Sequence, residues 1–288
     1  MVALRELRMR AADGTALFVA DSMLDDAGPA HGGVVLMHGL GEHCGRYAHV
    51  VRFFNQCGWS VRAYDHRGHG RSDGARGDVP DEKAILRDAK LVIDDFARQF
   101  DTPPILFGHS MGGLFAARFA TAACSPLRGL ILSSPALALP LSKPQQLLGK
   151  LLRSLAPGLG VPNGLQTRYL SHDPAVERAY RADPLVHSRI SARLLDAMLA
   201  AVDYSQAHAG ELAIPALLLV AGDDRLVDAS GSDRFFANLA PGIGTMHRYE
   251  RLYHEIFNEP QAQEVFEQVR QWLTTSMGAA PLSRQAAG

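Results

Sequence analysis

The chain has 288 residues, 47% of them hydrophobic and 20% charged, with 29 basic against 30 acidic side chains and a formal net charge of −1. This balance excludes a disordered chain, a collagen and a coiled coil. It also lacks the basic surplus with which a nucleic-acid binder displaces counterions, so no nucleic-acid partner is expected. Charges break every apolar run from Met1 to Arg10, and no run of 18 apolar residues occurs anywhere. Neither a signal peptide nor a membrane span is therefore expected. Cys44, Cys57 and Cys124 follow no CxxC spacing. So few cysteines, odd in number, do not make a disulfide framework, and the expected location is the cytoplasm.

In chain order, short apolar runs predict strands over Leu4–Arg10, Thr15–Ala20, Val34–Met37, Trp59–Tyr64, Pro104–Phe107, Gly129–Ser133, Ala216–Ala221 and Thr245–Glu250. The first two alternate and share an Asp13-Gly14 turn, as an antiparallel edge hairpin does. The middle runs are apolar throughout, which marks strands covered on both faces in a parallel sheet. Helices are predicted between them. Asp81–Phe100 carries Ile85, Leu86, Ala89, Val92, Ile93 and Phe96 on one stripe, with Asp81 as N-cap. Met111–Cys124 and Pro260–Thr274 follow the same logic. Asp25–Gly33 and everything from Thr275 onward are expected to be irregular.

From Ala136 to about Ile214 no strand is expected, and helices are predicted over Lys143–Ala156, Pro174–Ala182 and Ser191–Ala209. The resulting organisation is a mostly parallel eight-stranded α/β core, residues 1–135 and 215–275. A helical cap, 136–214, is inserted between strands 6 and 7, and 276–288 form a flexible tail. The first cap helix aligns Leu147, Leu148, Leu151, Leu152 and Leu155 on one face. That face either packs on the core or lines an acyl pocket and touches a membrane surface peripherally.

Gly108-His109-Ser110-Met111-Gly112 is a GxSxG placed directly after the apolar strand Ile105-Leu106-Phe107 and before a helix. A strand–sharp turn–helix exposes a serine hydroxyl at the carboxyl edge of a sheet, and flanking glycines leave room for the strained turn. A serine needs a base. Of the twelve histidines, His254 follows the last strand on a loop at that same edge. The imidazole needs a carboxylate to fix its tautomer. Asp223, Asp224 and Asp228 follow strand Ala216–Ala221; Asp228 reads better as the cap of a helix starting near Ala229, and spacing leaves Asp223 and Asp224 equivalent. Oxyanion donors are expected from the backbone of Met111 and, after strand Val34–Met37, from Leu40 in His38-Gly39-Leu40-Gly41. Glu42, His43, Arg46 and Tyr47 flank that loop and order it or reach the substrate. His38, His43, His66 and His69 lack the helical carboxylate–His spacing of a metal site, so no metal is expected.

Four segments carry a family resemblance. They are His38-Gly39-Leu40-Gly41-Glu42-His43-Cys44-Gly45-Arg46-Tyr47, Asp65-His66-Arg67-Gly68-His69-Gly70-Arg71-Ser72, Gly108-His109-Ser110-Met111-Gly112-Gly113 and Ala221-Gly222-Asp223-Asp224-Arg225-Leu226-Val227-Asp228. Together they make the chain resemble the α/β-hydrolase superfamily, in particular its monoacylglycerol lipase/lysophospholipase group, from about Gly32 to Leu273. The resemblance implies Asp224 as the acid, His254 as the base, Ser110 as the nucleophile and Leu40 and Met111 as oxyanion donors. It further implies a cofactor-independent hydrolase of small-molecule acyl esters, monoacylglycerol or lysophospholipid. The rivals are a peptidase or amidase on the same residues, for which Asp173, Glu177 and Asp183 in the cap would hold a free amine, a small-ester carboxylesterase on the same residues, and a non-catalytic ligand-binding protein of the same fold.

Overall fold

The computed structural model describes residues 2–24, 31–141, 149 and 151–278. Eight strands form one sheet: β1 (Val2–Arg10), β2 (Ala16–Leu24), β3 (Gly33–Met37), β4 (Ser60–Tyr64), β5 (Ile105–His109), β6 (Gly129–Ser133), β9 (Ala216–Ala221) and β10 (Gly244–Tyr249). Their order is β1-β2-β4-β3-β5-β6-β9-β10. β1–β2 and β2–β4 are antiparallel and every other pairing is parallel.

The apolar runs are buried on both faces because helices cover both. Alternate residues of each strand point to opposite sides. Val35, Met37, Leu106, Leu130, Leu132 and Leu218 pack with helices α2 (Ala84–Ala97) and α3 (Met111–Thr121). Val34, Leu36, Phe107, Ile131, Leu217 and Leu219 pack with α1 (Ala48–Gln56) and α7 (Ala262–Met277) on the other side. A one-residue slip in any strand would exchange these two sets.

Between β6 and β9 lie the helices α4 (Pro174–Ala182) and α5 (Ala192–Ala207), with α6 (Ser230–Ala237) following β9. Leu194, Ala197, Met198 and Ala201 of α5 enter the same core cluster as α3, so the insertion is docked on the sheet domain. It is not purely helical. Val161–Pro162 (β7) and Arg189–Ile190 (β8) pair as a small antiparallel ribbon, which corrects the expectation of no strand there. Two-residue strands, one containing Pro, carry no readable period. Residues 151–155 are helical; Leu147 and Leu148 lie outside the described residues.

Other boundaries also move. Gly33 belongs to β3 and does not end a loop, while 25–30 fall outside the described residues. Asp81 sits in the turn before α2, where its carboxylate accepts from Lys83 N at 2.9 Å. α7 continues to Met277, whose side chain is buried in the core, and Gly278 ends it at φ +65°. The expected irregularity from Thr275 and the tail boundary at 276 are therefore corrected. Thr274 and Thr275 sit on the solvent side of the last turn, so their polarity reports exposure and not a helix end.

Candidate active site

Ser110 joins β5 to α3 with φ +53° and ψ −119°, a conformation that a side-chain-bearing residue adopts at a cost. Packing holds it there. Ser110 N donates to Ser133 O at 3.0 Å, and its carbonyl accepts from Leu114 N at 2.9 Å and Ala136 N at 3.0 Å. The turn requires bare backbone on both sides. A Cβ at Gly108 would lie 2.5 Å from the Gly112 carbonyl oxygen, and one at Gly112 would fall on the carbonyl of Met37. Met111 begins α3, so its N–H has no intrahelical acceptor.

His254 and Asp224 meet at the same edge. His254 Nδ1 lies 2.7 Å from Asp224 Oδ2, and both side chains are almost fully buried. Asp224 Oδ1 accepts from Leu226 N at 2.9 Å and Val227 N at 3.1 Å, which fixes the carboxylate before the imidazole arrives. Burial alone would raise the Asp224 pKa. His254 and these hydrogen bonds outweigh it and hold the carboxyl below its ordinary range. Burial likewise pushes the His254 imidazolium down, but the Asp224 carboxylate outweighs it and the net pKa lies above the ordinary 6.5. With Nδ1–H directed at the carboxylate, Nε2 is left as the acceptor. Asp223 points elsewhere: it pairs with Arg225 at 2.6 Å and its side chain is 35% exposed. Asp228 accepts from Ser230 N at 3.0 Å at the start of α6. Of the two adjacent aspartates that spacing leaves equivalent, the turn buries Asp224 against His254 and leaves Asp223 partly exposed.

Ser110, Met111, Leu40 and His254 line one cavity of about 390 Å³. Its far wall is apolar, with Leu139, Leu152, Leu165, Leu195 and Met198 among its residues. Leu152 thus faces the cavity while Leu151 and Leu155 of the same stretch are 54% and 75% exposed. The leucine face read from sequence is therefore split between pocket and surface.

The loop after β3 is braced by a charged network. Glu42 Oε1 accepts from Gly39 N at 2.6 Å and from Tyr47 OH at 2.5 Å. Arg46 bonds Glu42 and also binds Glu255 with both terminal guanidinium nitrogens, at 2.6 and 2.8 Å. Glu255 follows His254 directly, so Arg46 ties the Leu40 loop to the base loop. A partner 209 residues away in the chain has no sequence signal.

His109 packs its ring 4.8 Å from that of His254 and bonds Ser133 Oγ at 3.0 Å. Burial and the neighbouring His254 lower its pKa to about 3, so it stays neutral beside the base. His38 Nε2 accepts the His66 N–H at 2.9 Å, which leaves Nδ1–H to donate to Gly39 O at 2.8 Å. His43 bonds Asp183 at 2.8 Å across to the insertion. These imidazoles tie loops together. Asp65 serves likewise, accepting from Cys44 N and Arg71 N at 2.8 Å each.

The acids considered for an amine are engaged elsewhere. Asp173 accepts from Ala175 N at 2.8 Å at the start of α4, Glu177 accepts from Thr167 Oγ1 at 2.7 Å, and Asp183 holds His43. The acids that do line the cavity, Glu42 and Glu255, are both paired with Arg46.

Comparison with known proteins gives consistent results. Residues 28–261 match the family model described as serine aminopeptidase, S33. The chain is 36% identical over 269 residues to the monoacylglycerol lipase of Mycolicibacterium smegmatis, covering 92% of this chain and 95% of that one. It is 34% identical to phospholipase YtpA of Bacillus subtilis, over 82% of this chain and 93% of the relative. The crystal structure of Paleococcus ferrophilus monoacylglycerol lipase superposes with a TM-score of 0.79 at 33% identity, covering 96% of this chain and all of that one.

Proposed function

The chain belongs to the serine aminopeptidase S33 family of α/β-hydrolases and is a serine ester hydrolase; from that premise we propose that it cleaves monoacylglycerols or lysophospholipids through an acyl-enzyme on Ser110. The observation that carries this reading is the shared cavity: a strained serine, a buried His254–Asp224 pair and a slot walled by leucines open onto one another. Ser110 Oγ attacks the acyl carbonyl as His254 Nε2 removes its proton. Asp224 keeps Nδ1 protonated and steadies the imidazolium. The N–H groups of Leu40 and Met111 receive the oxyanion, which such donors stabilise by about 3 kcal/mol each. His254 then protonates the departing alcohol, and water, activated by the same imidazole, releases the fatty acid.

Residues 136–214 act as the cap, supplying the acyl slot and screening the ester from water. Leu151, Leu155 and Leu159, each more than half exposed beside the cavity, support contact with a lipid surface from which the substrate is drawn. No helix among the described residues is long and apolar enough to cross a membrane. Three free cysteines favour the cytoplasm.

The amidase reading is disfavoured because the cap acids are spent on helix-start, threonine and histidine bonds. A panel of p-nitrophenyl acyl esters from about two to sixteen carbons, run beside a monoacylglycerol and an aminoacyl anilide, tests the proposal. Activity should rise with chain length and include the monoacylglycerol. Activity confined to acetate or to the anilide would overturn it.

A further inference from the structure

Outside the nucleophile, base, acid and oxyanion loop, one carboxylate is buried with an unusual set of partners. Glu259 has no exposed side-chain surface. Its Oε1 accepts from Tyr253 N at 2.6 Å and faces His172 Nδ1 at 2.9 Å. Its Oε2 accepts from His172 N at 3.0 Å, with the Ser171 hydroxyl at 3.3 Å. Tyr253 is the residue before His254, while Ser171 and His172 belong to the cap. One carboxylate therefore holds two chain segments far apart in sequence.

The same two segments are joined in further places. His254 N donates to Tyr169 O at 3.4 Å and Glu255 N to Leu170 O at 2.8 Å. The His172 ring stacks on Tyr253 at 3.7 Å and 18°. The base therefore does not sit on a self-supporting loop. Its backbone is bonded into cap residues 169–172, and Glu259 is a buried carboxylate at that seam.

We propose that Glu259 is a positioning residue that couples the cap to the catalytic base: by clamping Tyr253 to Ser171 and His172 it sets where the His254 imidazole stands relative to Ser110. The inference rests on the assignment of His254 as base made above. A carboxylate suits the place because the backbone N–H groups of Tyr253 and His172 each donate to a different one of its oxygens. An amide would turn an NH₂ toward one of those donors and push the segments apart. The imidazole needs placement within about half an ångström, since an error near 1 Å costs about 100-fold in rate.

Glu259→Gln, with the concentration of active enzyme set by fluorophosphonate titration of Ser110, should lower kcat on a glyceryl ester about 100-fold while KM changes little. The loss on the p-nitrophenyl ester of the same acid should be about ten-fold smaller, because that leaving group departs without a proton from the imidazolium. Glu259→Asp, which restores two acceptor oxygens, should recover part of the loss. His172→Ala, which keeps Glu259 but removes the ring and its bond, should show the same leaving-group bias in weaker form, and it carries the test if Glu259→Gln does not fold. Combining His172→Ala with Glu259→Gln should add little to the latter alone. A titrated Glu259→Gln or His172→Ala enzyme with wild-type kcat, or an equal loss on both leaving groups, overturns the proposal. Undiminished turnover in His254→Ala is a separate result and would instead remove the assignment on which it rests.

Discussion

Replacing Asp224 by Asn leaves the shape of the acid almost unchanged and removes its charge. The carboxylate accepts three hydrogens, one from His254 Nδ1 on Oδ2 and two from Leu226 N and Val227 N on Oδ1. The two backbone donors are fixed by the turn, so the amide oxygen must face them and the NH₂ must face His254. That forces Nδ1 to become the acceptor and places the remaining proton on Nε2, where it blocks removal of the Ser110 proton. A wrong tautomer of this kind costs about 10⁴ in kcat, or about 5.5 kcal/mol. Asp223→Asn is the control. Its partner Arg225 is more than half exposed, so the ion pair contributes at most about 1 kcal/mol and turnover should stay within about five-fold of wild type. Steady-state kcat on a p-nitrophenyl ester, with circular dichroism to verify folding, measures both. A larger loss in Asp223→Asn, or a small loss in Asp224→Asn, would refute the reasoning and move the acid to the neighbouring position.

Three further outcomes are expected. The acid limb of kcat/KM should lie above pH 6.5, because His254 works only when neutral and Asp224 raises its pKa; a limb clearly below that value in a stopped-flow pH series would contradict the pairing. His109 is buried with its pKa lowered to about 3, so an unfolded chain binds a proton that the folded one refuses; stability should be full above pH 6.5 and fall below it, by about 2 kcal/mol at pH 5 from this residue alone, and His109→Gln should flatten that part of a urea-melt pH series. Gly112→Ala should cost about 1–3 kcal/mol or more in the same melts, because its methyl would meet the Met37 carbonyl; an unchanged midpoint would show that the turn at Ser110 can relax.

Much of this architecture is legible in the sequence because its causes are local. Val34–Met37 and Leu130–Leu132 are apolar at consecutive positions, as in a strand covered on both faces, and the structure buries every one of them. Ser110 announces itself by glycines that have no room for a methyl. What stayed illegible depends on contacts across the chain. Ala48–Gln56 has the right period in Val50, Phe53 and Phe54 but follows a functional-looking loop with no capping side chain to separate the two. Choosing Asp224 over Asp223 from spacing alone is impossible, since the two are adjacent and only the folded turn buries Asp224 and leaves Asp223 partly exposed. The double duty of Arg46 between Glu42 and Glu255, and of Glu259 between cap and base loop, appears only when distant segments are brought together.

One hydroxyl, one imidazole and one carboxylate from separate sheet-edge loops are proposed to form a single reacting unit. Mass-mapped labelling with a long-chain fluorophosphonate is the test. A single adduct is expected on the peptide holding Ser110, absent in Ser110→Ala and formed far more slowly in His254→Ala. An adduct on another residue, or labelling as fast without the imidazole as with it, would contradict it.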